Sequence, residues 1–344
     1  MVQRDGATPD PGFSTREITG EHETSRSFIR IRMLEVRRDG EPTRTGGRLT
    51  NRSFEMNGAG MVDLKQGHPK VIHGYRVLAP LGEGAASRLF VVHDPETKQL
   101  LALKHVRVTT PRERRFLAQA EREHQVASRV TVPTVRRSRR LVRYRELLRT
   151  TEVALVMDFV DGRPLDTVGR LPLWDLVSIF ADAAAGLAHL HDLGFAHADL
   201  KPGNLIRTDA GRATIIDLGQ ACRLGETKSR IQGTPGFLAP EQLERGPIDA
   251  RTDAFLLGAM IYRQLTGRYA AGGISEKVSR VPLGSLAPTT PAELVSLVGQ
   301  CLEPNPHRRP SDLGRVAVQL ATCADRLQDR DGGGLPHRSL AETA

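Results

Sequence analysis

One string limits this 344-residue chain more than any other feature. It is His197-Ala198-Asp199-Leu200-Lys201-Pro202-Gly203-Asn204, followed thirteen residues after Asn204 by Asp217-Leu218-Gly219. Proline and glycine inside the string argue against a regular helix or strand across it, so its charged residues belong on a loop. An apolar pattern at helical spacing, Leu173–Leu193, runs up to it. Leu205-Ile206 and Ile215-Ile216 are short apolar runs on either side of the gap, and the second leads into Asp217. The chain is therefore expected to set these polar groups on loops beside short strands, after a long helix.

An isolated Asp-x-Lys-Pro is an ordinary surface turn. The whole string with its spaced Asp-x-Gly is more demanding. A base, a lysine, an amide and a second carboxylate suit a magnesium–nucleotide and the removal of a proton from a hydroxyl. Upstream, Gly82-Glu83-Gly84-Ala85-Ala86-Ser87 separates the strand-like runs Tyr75–Leu81 and Arg88–His93. Such a turn brings backbone N–H groups close to a phosphate, although glycine pairs also occur in plain hairpins. Leu101-Ala102-Leu103-Lys104 lies on the next strand-like run, Leu100–Val106. A lysine on a buried strand needs an anionic partner. Glu121 and Glu123 on the following helical stretch both qualify. The chain has 42 Arg and only 7 Lys among its 49 basic residues, so a Lys here points to a need for a compact ammonium.

Strand-like runs return near Leu141 and at Val153–Phe159, after a helical stretch opened by Pro111 that runs to about Val130. From Leu173 onward helical periodicity dominates, at Leu173–Leu193, Asp253–Leu265, Ala292–Leu302 and Leu313–Leu327. The expectation is an α+β chain with a small β-rich lobe, residues 74–160, and a larger helical lobe, residues 161–325. Asp161-Gly162-Arg163-Pro164 connects them. Residues 1–73 read as a weakly structured leader, with a short strand conceivable at Phe28–Val36, and residues 326–344 as a flexible tail. Met33, Met56 and Met61 are alternative starts.

With these motifs in this order, residues 74–325 resemble the eukaryotic-type serine/threonine protein kinases. Further strings agree. Gly233 to Glu241 looks like the end of an activation segment, and Asp253 with Gly258 like the start of the family's central helix. Arg309 looks like the partner of Glu241. The resemblance implies a bilobal protein-kinase-like fold with one regulatory helix in the small lobe. It also implies use of ATP and Mg²⁺ to phosphorylate Ser/Thr hydroxyls of proteins. By the same resemblance Lys104 would hold the α- and β-phosphates and pair with Glu123, which lies at the family's usual spacing before Pro133. Gly82, Gly84 and Ser87 would cover the phosphates, and Asn204 and Asp217 would bind Mg²⁺. Asp199 would be the base, with Lys201 stabilising the migrating phosphoryl group. Leu81, Leu89, Ala102 and Ile206 would enclose the adenine, with Met157 as gatekeeper and Asp158 and Val160 as hinge.

Four departures from the family pattern stand out. Ser87 replaces a glycine, Leu89 a valine and Leu218 a phenylalanine. Ala198 replaces the arginine that pairs with a phosphate on the activation segment. Without that arginine, activity that does not require phosphorylation of Thr227 or Ser229 is expected. A kinase-shaped binding module and a small-molecule phosphotransferase are the rival readings. The second gains from Ala198 and loses from the Gly233–Glu241 segment.

The formal charge of +9 sits in one window. Residues 105–150 hold 13 Arg, no Lys and 4 Glu, while the remainder balances. This reads either as a solvated Arg-rich face or as a docking face for an acidic protein or polyanion. No run approaches ~18 uncharged apolar residues, so a membrane span is not expected. The amino terminus lacks a signal-peptide pattern, and Cys222, Cys301 and Cys323 are too few and scattered for a zinc or disulfide framework. A cytoplasmic location is the corresponding expectation.

Overall fold

The structure is a computed structural model and describes residues 69–84, 86–146, 149–270 and 283–331. The strand expected at Phe28–Val36, nearly all of the leader and residues 332–344 lie outside these ranges.

The first half forms one antiparallel sheet. Its strands are β1 (Val71–Ile72), β2 (Tyr75–Glu83), β3 (Ser87–His93), β4 (Leu100–Arg107), β5 (Ser138–Glu146) and β6 (Arg149–Asp158), ordered β1-β2-β3-β4-β6-β5. The helix α1 (Arg114–Ala127) interrupts it after a 3-10 turn that begins at Pro111. Successive side chains of a strand face opposite ways, and β4 shows the consequence. Leu101 and Leu103 join Phe90, Val92, Ala154 and Val156 on the outer face, capped by Ile72 and Tyr75. Val106 faces inward and packs with Leu117 and Ala120 of α1 and Val153 of β6. Lys104 shares the inward parity and His105 the outward one.

Beyond Asp158 the chain crosses to the helical half. There β7 (Arg163–Pro164) precedes α2 (Leu173–Asp192), β8 (Phe195–Ala196), β9 (Leu205–Arg207) and β10 (Ala213–Ile215). Next come β11 (Cys222–Arg223), β12 (Glu226–Thr227), α3 (Pro240–Leu243), β13 (Pro247–Ile248) and α4 (Ala250–Thr266). Last are α5 (Leu283–Leu286), α6 (Ala292–Cys301) and α7 (Leu313–Arg330). The short strands pair as β10-β9-β7, β11-β8 and β12-β13. Phe180 of α2 and Phe255 of α4 are fully buried in a core shared with α6 and α7. By length and composition α2 would suit a bilayer crossing, but 67% of its apolar window is buried inside this lobe. Asp249 caps α4 by accepting from Arg251 N at 2.8 Å, and Gly267 ends it in the left-handed conformation at φ 71°.

The halves are stitched behind the site. Arg136 N donates to Ile215 O and Ile215 N to Thr134 O, each at 2.8 Å. Gly186 of α2 permits this approach, because a Cβ there would lie 3.0 Å from both Thr134 O and Val135 Cγ2. The α+β, two-lobed expectation holds. The last helix runs to Arg330, past Leu327 where the periodic pattern ends, so residues 326–330 are helical.

Candidate active site

Lys104 Nζ lies 2.7 Å from Glu123 Oε2 and 3.3 Å from Asp217 Oδ1. Glu123 is buried on the inner side of α1, which selects it over Glu121. Glu121 instead pairs with Arg143 at 2.7 Å. Burial alone would lower the Lys104 pKa, but the two carboxylates outweigh it and raise it. Burial pushes Asp217 up, and Lys104 and Arg136 overcome this, carrying its carboxyl down to about 2.

Arg136 corrects one expectation. It belongs to the Arg-rich window but is not on a solvated face. Its side chain is 8% exposed and its NH2 sits 3.6 Å from Glu123 Oε1. Glu123 therefore faces one cation with each oxygen. Nothing in the sequence separates Arg136 from its exposed neighbours, because the run around it is uniformly basic.

The loop after β8 is held from below. Asp253, fully buried at the start of α4, accepts from His197 N at 2.8 Å and Ala198 N at 2.9 Å. Its other contact is His191 Nε2 at 2.8 Å. Burial pushes its carboxyl up, yet His191 and these amides hold it below the usual range. Ala198 sits at φ 62° and Asp217 at φ 63°, a region L side chains rarely adopt. Asp253 fixes the first of these turns. Asp199 then points into the cleft. Thr234 Oγ1 donates to its Oδ1 at 2.8 Å, Lys201 Nζ lies 3.8 Å from Oδ2, and Asn204 Nδ2 donates to its carbonyl at 3.0 Å. That last bond leaves the Asn204 amide oxygen as its uncommitted ligand atom.

Leu81, Leu89, Ala102 and Met157 meet in one apolar cluster with Leu155. Ile206 lies across from them on β9, beside Gly162, where a Cβ would come within 2.7 Å of its Cγ2. Gly82 and Gly84 stand at the β2–β3 turn, closed by Gly84 N donating to Ser87 O at 2.7 Å. Asp158 ends β6, its N–H held by Arg137 O and its carboxylate paired with Arg139. Val160 follows in the crossing segment.

The stretch between Gly219 and Glu241 is anchored at several points. Lys228, largely buried, donates to Gln220 O at 2.6 Å, and β12 pairs with β13. Gln242 Nε2 donates to Ala198 O at 2.9 Å. Arg309 grips Glu241 bidentately at 2.7 and 3.0 Å, and Thr252 Oγ1 donates to the same carboxylate.

A strand-rich lobe over a helical lobe, with a lysine–glutamate pair and two carboxylate loops in the cleft, defines a protein of the kinase-fold class. The chain belongs to the protein kinase domain family, whose sequence model matches residues 75–322. It is 31% identical over 277 residues to a serine/threonine-protein kinase, pkn2, of Myxococcus xanthus, covering 74% of this chain and 33% of that protein. Similarity to the Corynebacterium glutamicum kinase PknA is 29% over 272 residues, covering 74% and 57%. The chain thus spans roughly a third to a little over half of these relatives. The solved Mycobacterium tuberculosis PknI kinase domain shares the fold at 21% identity and TM-score 0.57, covering 74% of this chain and 97% of that one.

Proposed function

We propose that this chain is a serine/threonine protein kinase. The observation that carries the reading is the assembled polar set, Lys104–Glu123 at 2.7 Å with Asp217 at 3.3 Å, and Asp199 held by Thr234 and Asn204 beside it. Asp199 accepts the proton of a substrate hydroxyl as that oxygen bonds to the γ-phosphorus, and the bond to the β-phosphate oxygen breaks to release ADP. Lys104 holds the α- and β-phosphates, Lys201 neutralises charge on the transferring group, and Gly82, Gly84 and Ser87 close over the phosphates. Leu81, Leu89, Ala102, Met157 and Ile206 receive the adenine, and Asp158 and Val160 offer it backbone groups. The Asp217 carboxylate and the Asn204 amide oxygen suit Mg²⁺, which prefers oxygen donors. Bound there, Mg²⁺ supplies charge neutralisation for the phosphates.

Activity without activation-segment phosphorylation is supported by Ala198, which offers a phosphate no cation, and by Lys228, which already ties the segment to Gln220. The three cysteines are free and buried, and burial pushes their thiols up, which suits a cytoplasmic site of action. The test is transfer from labelled ATP to a generic protein substrate and, in parallel, to aminoglycosides. Wild type labels protein only, and Asp199→Asn loses at least roughly a thousandfold while keeping its fold. Thr227→Ala with Ser229→Ala keeps wild-type rates. Labelling that survives Asp199→Asn would overturn the assignment of the base. Folded wild type without transfer would favour a binding module.

A second reading concerns the Arg-rich edge. β5 is an edge strand, at the end of the sheet opposite β1, and Arg139, Arg140, Arg143 and Arg145 are exposed on it. Arg143 reaches Glu121 on α1, two residues from Glu123. This supports a docking face for an acidic protein or polyanion, with a direct link to the regulatory helix.

A further inference from the structure

The outer face of the strand-rich sheet carries a convergence of polar side chains that phosphotransfer does not use. His105 projects from β4 on the side opposite Lys104. Glu152 reaches the same place from β6, and His73 from the turn between β1 and β2. Residues His73 and Gly74 form that two-residue turn with φ of 47° and 89°. His73 Nε2 lies 3.0 Å and His105 Nε2 2.7 Å from the same atom, Glu152 Oε1. The potential ligand atoms of all three lie within 4.8 Å of one another. The side chains of His73, His105 and Glu152 are 20%, 17% and 21% exposed. His105 Nε2 is itself fully enclosed. It sits against the carboxylate at 2.7 Å, off the line of a well-aligned hydrogen bond. Two ring nitrogens crowd one carboxylate oxygen there, and a metal ion would take all three atoms as ligands.

We propose that His73, His105 and Glu152 bind one divalent transition-metal ion, Zn²⁺ fitting best, and that the ion pins the β1–β2 hairpin to the sheet. Two imidazoles and a carboxylate are a donor set suited to Zn²⁺, while Mg²⁺ prefers oxygen ligands in an octahedron. A tetrahedral ion about 2.0–2.1 Å from each ligand sets the ligand atoms roughly 3.4 Å apart. To reach that spacing the His73 and His105 nitrogens draw back from Glu152 Oε1, from 3.0 and 2.7 Å, while their own separation, within 4.8 Å, settles toward the same value, a movement of the size rotamer adjustments supply. Three protein ligands leave a fourth position for water. The donors come from segments far apart in sequence, so an ion would join the hairpin to β4 and β6 at once. The site does not depend on the phosphotransfer reading.

The test is calorimetric titration of the untagged, chelator-stripped full chain with ZnCl₂, and with MgCl₂ in parallel. Melting temperature and the visible bands of added Co²⁺ serve as further readouts. One Zn²⁺ per chain, a raised melting temperature and tetrahedral Co²⁺ bands are expected, with excess Mg²⁺ failing to displace the Zn²⁺. His73→Asn keeps a side chain that tolerates the left-handed turn, and Glu152→Gln keeps the shape of the third ligand. Each weakens Zn²⁺ at least roughly tenfold. Unchanged stoichiometry and affinity in both variants, or no stoichiometric Zn²⁺ binding by the wild type, overturns the proposal.

Discussion

One residue of this site behaves unlike its surroundings. Arg136 belongs to a surface-like run of arginines and yet is buried, 3.6 Å from Glu123. With Lys104 it draws the Asp217 carboxyl below its unfolded value. A carboxyl of depressed pKa contributes stability that is present above the unfolded pKa near 4 and is lost as pH falls toward about 2. Arg136→Met removes one of the two cations, so the acid-unfolding midpoint followed by circular dichroism should move up by roughly a few tenths of a pH unit. An unchanged midpoint would mean that Arg136 adds nothing to the Asp217 environment. The His197–Asn204 string was legible in the sequence because spacing and residue type together leave few alternatives, and Glu123 was separated from Glu121 only by the family's spacing to Pro133. Arg136 and Lys228 were not, because burial of a cation is decided by which neighbours pack over it. His73 gave no signal either, since its meaning depends on a turn that folds it across a sheet onto His105 and Glu152.

At the scale of the element, α4 does more than fill the core. Its first turn carries Asp253, and that single carboxylate satisfies two loop amides and His191. Asp253→Ala leaves those groups orphaned under a turn that is already strained at Ala198. The expected cost is roughly 3–5 kcal/mol, read as a fall in urea midpoint at constant slope. A loss below about 1 kcal/mol would show that the loop is held elsewhere. The long elements were legible from periodicity, with ends within a few residues of those observed. The two-residue strands β7, β8, β11, β12 and β13 were not, because pairs so short are fixed by their partners rather than by their own pattern. Asp249 and Gly267 bound α4 with ordinary cap chemistry, which is why a helix whose Ala250–Asp253 turn lacks periodic apolar residues starts before the apolar pattern does.

Across the whole molecule, the charge follows the architecture. The window that holds the net +9 maps onto α1, the edge strand β5 and their connection. Arg139 and Arg143 are engaged with Asp158 and Glu121, while Arg140 and Arg145 also project from the exposed edge. If this face docks an acidic partner, heparin retention should be steep in salt, with log affinity falling linearly against log salt. Charge reversal at Arg139, Arg140 and Arg143 together should flatten that dependence. Retention and phosphotransfer both unchanged would leave the edge as a solvated surface.

The anchoring of the segment from Gln220 to Gln232 has a mechanical side. One end is pinned by the Asp217 turn, and the other by the buried Arg309–Glu241 clamp and by Gln242 under Ala198. Lys228 fastens the middle to Gln220. The segment is therefore a short rope with its slack divided in two. A pull on either length is absorbed locally, since closing a short loop leaves few conformations to spend. Tension applied to the exposed stretch at Arg230 and Ile231 stops at Lys228 on one side, and on the other it reaches Thr234, whose hydroxyl holds Asp199, before it reaches Glu241.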